Sequence, residues 1–299
     1  MGLQVDERAE VTVDPALIEA FQRDGYVHAR GMLNAEEVET HRRAVDAAVA
    51  ERTAEDLRPM ADKTPFQQSF TMCQCLWEDH PAVAALTFHP KIAGTAAALI
   101  GAPRIRLWHD QALYKEAGGR ETEMHQDHPY WPIAEREALT AWIALVDIDE
   151  TNGAMGYIPG SHLGDMTYID VFTTPGQGQA FQRRQTKAPV FTPCKAGDVI
   201  YHHGATIHTA RPNSSAQTRK VHTAIYFRDG CTRGDERPHH ALEREHIPLG
   251  AVIDGRATPV AWPLEGGRLP TPLPFEPIEV HPKFGPIAKM GIYPTGAPR

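Results

Sequence analysis

Hydrophobic and polar positions along this chain change their period once, near residue 104. Before that point the apolar residues recur at helical spacing. Residues 15–24 read as a short helix opened by Pro15, and Gly25-Tyr26-Val27-His28-Ala29 as a strand leaving it. Asn34, followed three residues later by Glu37, predicts a capped helix running to about Glu51. Two further helical blocks, 81–86 and 90–100, each begin on a proline, and Gly101 stands where a helix closes.

From Arg104 onward, Ile105, Leu107, His109, Gln111, Leu113 and Lys115 alternate with Arg106, Trp108, Asp110, Ala112 and Tyr114, which is the period of a strand. Further strands are expected at 139–146, 153–158, 188–192, 199–203 and 220–227, divided by clusters of Gly, Pro, Asn and Ser. Short strands without alternating long helices exclude a doubly wound sheet and predict an antiparallel sandwich or barrel. The expected organisation is one domain over 1–299: a helical part at about 13–101, a β core at about 104–228 and an irregular tail at 229–299. That tail is rich in Pro and Gly, and is expected to wrap the surface or cover a cleft.

With 41% hydrophobic and 23% charged residues the chain has the makings of a sizeable core. A formal net charge of −8 gives no general pull toward nucleic acid or an anionic membrane surface. No apolar run is expected to span a membrane. The acidic first ten residues resemble no secretory or transit peptide, and Cys73, Cys75, Cys194 and Cys231 lack the spacing of a zinc site. A cytoplasmic protein with reduced thiols and a small-molecule substrate is the expectation; oligomeric state is left open.

The chemistry concentrates in Met124-His125-Gln126-Asp127-His128-Pro129-Tyr130-Trp131. On an extended strand end, His125 and Asp127 share a face, and a second imidazole would complete the two-histidine, one-carboxylate triad of non-haem Fe(II). His208 is preferred over His202 and His203, because Arg219 follows it by a strand, a turn and a returning strand. Its guanidinium would there pair with a dicarboxylate on the metal, which points to 2-oxoglutarate as co-substrate. Gln111 and Lys115 share a strand face leading to this motif and are expected at co-substrate or substrate. Tyr130 and Trp131 are expected as substrate walls.

Asp24-Gly25-Tyr26-Val27, His125-Gln126-Asp127, Asn152-Gly153-Ala154-Met155-Gly156-Tyr157-Ile158-Pro159-Gly160-Ser161-His162, Gly197-Asp198-Val199 and His208 to Arg219 follow one another in a familiar order. In this the chain resembles the phytanoyl-CoA dioxygenase family of Fe(II)- and 2-oxoglutarate-dependent oxygenases. The resemblance implies a double-stranded β-helix, a jelly roll of cupin type, with N-terminal helices packed outside. It implies iron on His125, Asp127 and His208, the distal carboxylate of 2-oxoglutarate on Arg219, and Trp142 in the same pocket. It also implies a reaction with O2 that hydroxylates an unactivated C–H and releases succinate and CO2, with desaturation, epimerisation or ring closure as alternatives. Asp127 stands where halogenating relatives carry a small residue. Ala210 stands where relatives often place a hydroxyl, and Thr209, Thr206 or Gln111 are possible substitutes. A non-catalytic jelly roll and a 2-oxoglutarate-independent metal enzyme are the rival readings.

Overall fold

A computed structural model describes residues 11–274 of the chain, apart from 172, 173 and 175. The expectations for residues 1–10, and for the tail beyond 274, lie outside the described residues.

The helical part follows the sequence closely. Helix α1 (Pro15–Asp24) is capped by the Asp14 side chain and ends on left-handed Gly25, from which strand β1 (Tyr26–Ala29) departs. Helix α2 (Ala35–Thr53) opens with the reciprocal Asn34 and Glu37 capping box. Strand β2 (Thr71–Gln74) and short helix α3 (Leu76–Asp79) were not foreseen. Helices α4 (Pro81–Thr87) and α5 (Pro90–Ile100) start on their prolines, and α5 stops on left-handed Gly101. Taken together, Pro81–Ile100 reaches the length and hydropathy of a membrane span, contrary to expectation. It is nevertheless broken into two helices and 67% buried inside the fold.

Then come β3 (Ile105–Lys115), β4 (Thr122–His125), β5 (Ala138–Ala144), β6 (Met155–Tyr157), helix α6 (Gln177–Arg183), β7 (Val190–Thr192), β8 (Val199–His203), β9 (His208–Ala210), β10 (Arg219–Arg228), helix α7 (His240–Glu243) and β11 (Val260–Trp262). They form two antiparallel sheets. The larger runs β1-β8-β5-β10-β3-β11, with β2 also paired to β3; the smaller runs β4-β9-β6-β7.

Every residue of β5 is buried, because the large sheet is covered on both faces. Its outward residues, among them Leu139, Ala141, Ile143, Tyr201 and Tyr226, join the helices in one apolar cluster with Phe21, Val45, Leu86 and Ile92. Each such side chain contributes about 1.5–3 kcal/mol by leaving water. Between the sheets, Trp142, Ala144, Met155, Tyr157, Ile200 and Val221 fill part of the interior.

The region after Asp229 is not wholly irregular, as its composition suggested. Strand β11 extends the large sheet alongside Ile105 and Arg106, and Arg233 pairs with Glu243 at 2.7 Å beside α7. All four cysteines are free and buried.

Candidate active site

Register across the large sheet lays the inward side chains in rows. His202, Thr140, Ile225 and His109 stand opposite one another on β8, β5, β10 and β3. The next inward row is Ile200, Trp142, Thr223, Gln111 and, on β2, Gln74. Beyond it come Val221 and Leu113, then Arg219 opposite Lys115. Apart from Ile200, Val221 and Lys115, these residues line one cavity between the sheets, which also receives His125, Asp127 and His208.

His125 ends β4 directly opposite His208 on β9, and their rings lie 4.3 Å apart. Nδ1 of His125 faces the Glu123 carbonyl at 2.7 Å, and Nδ1 of His208 faces that of Thr206 at 3.0 Å. Each Nδ1 therefore carries the hydrogen, leaving each Nε2 as a lone-pair donor toward the cavity. Both Nε2 atoms stand 3.5 Å from Asp127 Oδ1. Asp127 does not share a strand face with His125, as its spacing suggested. The strand has ended, Asp127 is helical (φ −75°, ψ −43°), and the turn it starts carries the carboxylate back to the imidazoles.

The other oxygen, Oδ2, accepts from Thr140 Oγ1 at 3.1 Å and contacts His202 Nε2 at 3.2 Å. His202 thus orients the carboxylate. His203 faces the other side of β8, where its Nδ1 accepts from the Ala205 N–H and its ring lies 5.4 Å from that of His162. Burial alone would raise the Asp127 carboxyl, but the surrounding imidazoles, His208 foremost, hold it well below the usual range. Burial pushes His208 down to about 3. A carboxylate and two imidazoles, with three ligand atoms within 4.8 Å of one another, make a donor set that suits a divalent metal.

Arg219 is fully buried, donates to the Gly153 carbonyl at 3.0 Å and lies 5.4 Å from the Trp142 ring. Its Nε finds no partner, and among the described residues no carboxylate forms an ion pair with it. Burial lowers it only to about 10, so it remains a cation in need of an anion. Gly153 adopts φ +108°, and a Cβ there would meet the Lys115 side chain at 2.9 Å, so glycine admits this close packing. The segment from His208 to Arg219, eleven residues further on, does not form a hairpin. It crosses from the small sheet to the large one, and the Asn213 side chain braces the crossing by donating to the Lys115 and Gln217 carbonyls.

Gln111, Trp142, Tyr130 and Trp131 line the cavity. Lys115 does not. It is fully buried, its Nζ donates to the Arg120 carbonyl, and burial followed by repulsion from Arg219 pushes it down to about 6. Of the proposed hydroxyl substitutes, Thr209 donates to the Thr122 carbonyl at 2.6 Å and Thr206 to that of Gly25 at 2.7 Å, so neither reaches the cavity. The hydroxyl-bearing residues that line it are Ser69, Thr122, Tyr130, Thr140 and Thr223.

Sequence reasoning missed Thr140, although it shares parity with Trp142 on β5, and His109, which shares parity with Gln111 on β3. Phe66, Phe70, His239 and His240, also on the cavity wall, belong to segments without periodicity. A second group, Cys75, Glu78 and His240, brings three ligand atoms within 4.8 Å. Arg244 already holds that Glu78 at 2.8 and 2.9 Å, and His240 Nε2 contacts Cys75 Sγ at 3.0 Å. Ser161 and His162 serve the scaffold: Ser161 Oγ accepts from Ile207 N beside His208, and His162 Nε2 contacts the Gln22 carbonyl.

The phytanoyl-CoA dioxygenase (PhyH) family model matches residues 21–221. Phytanoyl-CoA dioxygenase domain-containing protein 1 of Bos taurus is 24% identical over 261 residues, 71% of this chain and 89% of its own length. Among solved structures, the non-haem α-ketoglutarate-dependent carbocyclase SnoK from nogalamycin biosynthesis is 28% identical with a TM-score of 0.68. The match covers 87% of this chain and 99% of SnoK. The epimerase SnoN, in complex with Fe3+, α-ketoglutarate and nogalamycin RO, is 29% identical with a TM-score of 0.64, over 83% of this chain and 100% of SnoN. The chain belongs to the phytanoyl-CoA dioxygenase family and is a 2-oxoglutarate-dependent non-haem iron oxygenase.

Proposed function

We propose that the chain works as a single oxygenase domain in which His125, Asp127 and His208 hold Fe(II), Arg219 binds 2-oxoglutarate, and an unactivated C–H of a small molecule is hydroxylated. Succinate and CO2 are the co-products. The two sheets are then the walls of a double-stranded β-helix, and the four free buried thiols suit a reducing cytoplasm. The observation that carries the reading is the fully buried guanidinium of Arg219, without a carboxylate partner among the described residues, in the cavity that receives the three ligand atoms.

Bound iron supplies oxygen activation coupled to decarboxylation of the 2-oxo acid. The protein's own groups do the placing. Arg219 offers a planar fork to the distal carboxylate over the Trp142 ring, and Thr223 and Gln111 line the stretch beside it. Thr140 and His202 keep Asp127 Oδ2 occupied, so Oδ1 is the oxygen left for the metal. Tyr130, fixed by its hydroxyl to the Ile169 carbonyl, and Trp131 wall the substrate side and shed water.

Incubation with Fe(II), 2-oxoglutarate and oxygen is expected to yield succinate, more of it once a substrate is supplied. A protein that loads iron yet yields no succinate above the metal-only control contradicts the proposal.

A further inference from the structure

Resting on that reading, the geometry points to a substrate subsite beside the metal row that takes an uncharged, flat, oxygen-rich molecule, with His109 and His239 holding its oxygen atoms. His109 stands in the same row as Thr140 and His202, two strands from Thr140. At the spacing of paired strands this places it roughly 10 Å to the side of the group that anchors Asp127, clear of the Arg219 end. It is 5% exposed and lines the cavity; its Nδ1 is closed off from solvent, the backbone of its neighbour Asp110 hydrogen-bonds the ring, and among the described residues Nε2 makes no hydrogen bond to another side chain. A buried polar group left open in a cavity is where a ligand's polar atom belongs.

His239 completes the floor. Its Nδ1 accepts from the Ala241 N–H at 3.3 Å, so its Nε2 carries the hydrogen and is a donor. Stacking on Trp108 at 3.9 Å and on His109 at 5.6 Å fixes the ring. Burial pushes His109 down to about 4 and His239 well below its ordinary value, so both offer neutral hydrogen bonds. Beside them, Gln74 donates to the Gln111 carboxamide at 3.3 Å, a further neutral pair on the same wall.

Apart from Arg219, the one cation among the described lining residues is Arg120, which is exposed. Of the lining carboxylates besides Asp127, Glu123 is taken by the Gly176 and Gly178 N–H groups, and Glu121 accepts from the Gln179 carboxamide at 2.8 Å. Nothing on this floor is built to fix a phosphate or a carboxylate. Other lining residues are aromatic: Phe66 and Phe70, edge to face at 5.0 Å, with Tyr130 and Trp131. Such faces fit a planar ring system.

The test uses the full chain loaded with Fe(II) and 2-oxoglutarate under argon, titrated by tryptophan fluorescence. The probes are daunomycinone as an uncharged planar polyoxygenated molecule, palmitoyl-CoA as an anion, and ectoine as a small zwitterion. Daunomycinone is expected to bind tightest. His109→Phe should weaken it about tenfold, the worth of one hydrogen bond to a buried group, and His109→Asn should recover part of the loss. His239→Phe supplies the same comparison if the His109 variants do not fold. Visible absorption of the iron and 2-oxo acid complex is read on the same samples. Its absence from wild type refutes the oxygenase reading itself. Its presence, with palmitoyl-CoA or ectoine bound more tightly, or with daunomycinone affinity unchanged in the folded Phe variant, overturns the subsite alone.

Discussion

Asp127 divides its labour between two oxygens, and the division makes a prediction that separates ligand from support. His202 touches Oδ2, so His202→Ala should leave a metal site with a looser carboxylate. Iron affinity is expected to fall about ten- to a hundredfold, the usual cost of removing a partner behind a ligand. Iron retained after desalting, titrated against concentration, measures it; complete loss would make His202 a ligand in its own right. Arg219→Lys keeps a charge but not the fork. The apparent 2-oxoglutarate requirement should rise by roughly ten- to a hundredfold, about 1.5–3 kcal/mol, with iron loading unchanged. An unchanged requirement would move the carboxylate anchor elsewhere. At this scale the clustering of His125, Asp127, His208 and Arg219 around one cavity was legible because their residue types and order carry the chemistry. The error over Lys115 came from treating strand parity as sufficient, whereas its long side chain runs to the Arg120 carbonyl.

At the scale of elements, capping residues and alternation located α1, α2, α4, α5 and most of the longer strands, since both are local properties, but not the short helices α3, α6 and α7. Strand β2 and the wall around His239 depend on pairing with distant partners, which no local pattern encodes. Position 25 shows how tightly one junction is built. Gly25 turns the chain from α1 into β1 at φ +78°, and a Cβ there would meet His162 Nδ1 at 2.4 Å and Thr206 Oγ1 at 2.6 Å. Gly25→Ala should therefore destabilise the fold by at least about 1–2 kcal/mol, from backbone strain before any clash is counted. A urea midpoint equal to wild type would show that the junction yields.

For the whole molecule, buried neutral histidines set the response to acid. Burial pushes His222 and His203 down to about 3 and His109 to about 4. Their folded values lie below the ordinary 6.5, so the unfolded chain binds more protons in between. The stability they contribute is fully present above about 6.5 and is lost as pH falls toward 3–4. Asp110, raised by burial to about 7, acts oppositely, contributing on the acid side and losing that as pH rises through 7. Two raised carboxyls, Asp110 and Glu78, against several imidazoles leave the balance with the histidines. The denaturant midpoint should therefore drop between pH 7 and pH 4.5, and a midpoint that rises instead would contradict this assignment. The account as a whole rests on one claim, that the three protein ligands and Arg219 together hold iron and a 2-oxo acid. Its most direct test is an anaerobic titration of wild type and Asp127→Ala with Fe(II) and 2-oxoglutarate, read by visible charge-transfer absorption. Wild type should develop the band, saturating at one equivalent of iron, and the variant should not. A band of equal strength in Asp127→Ala, or none in iron-loaded wild type, would contradict the claim.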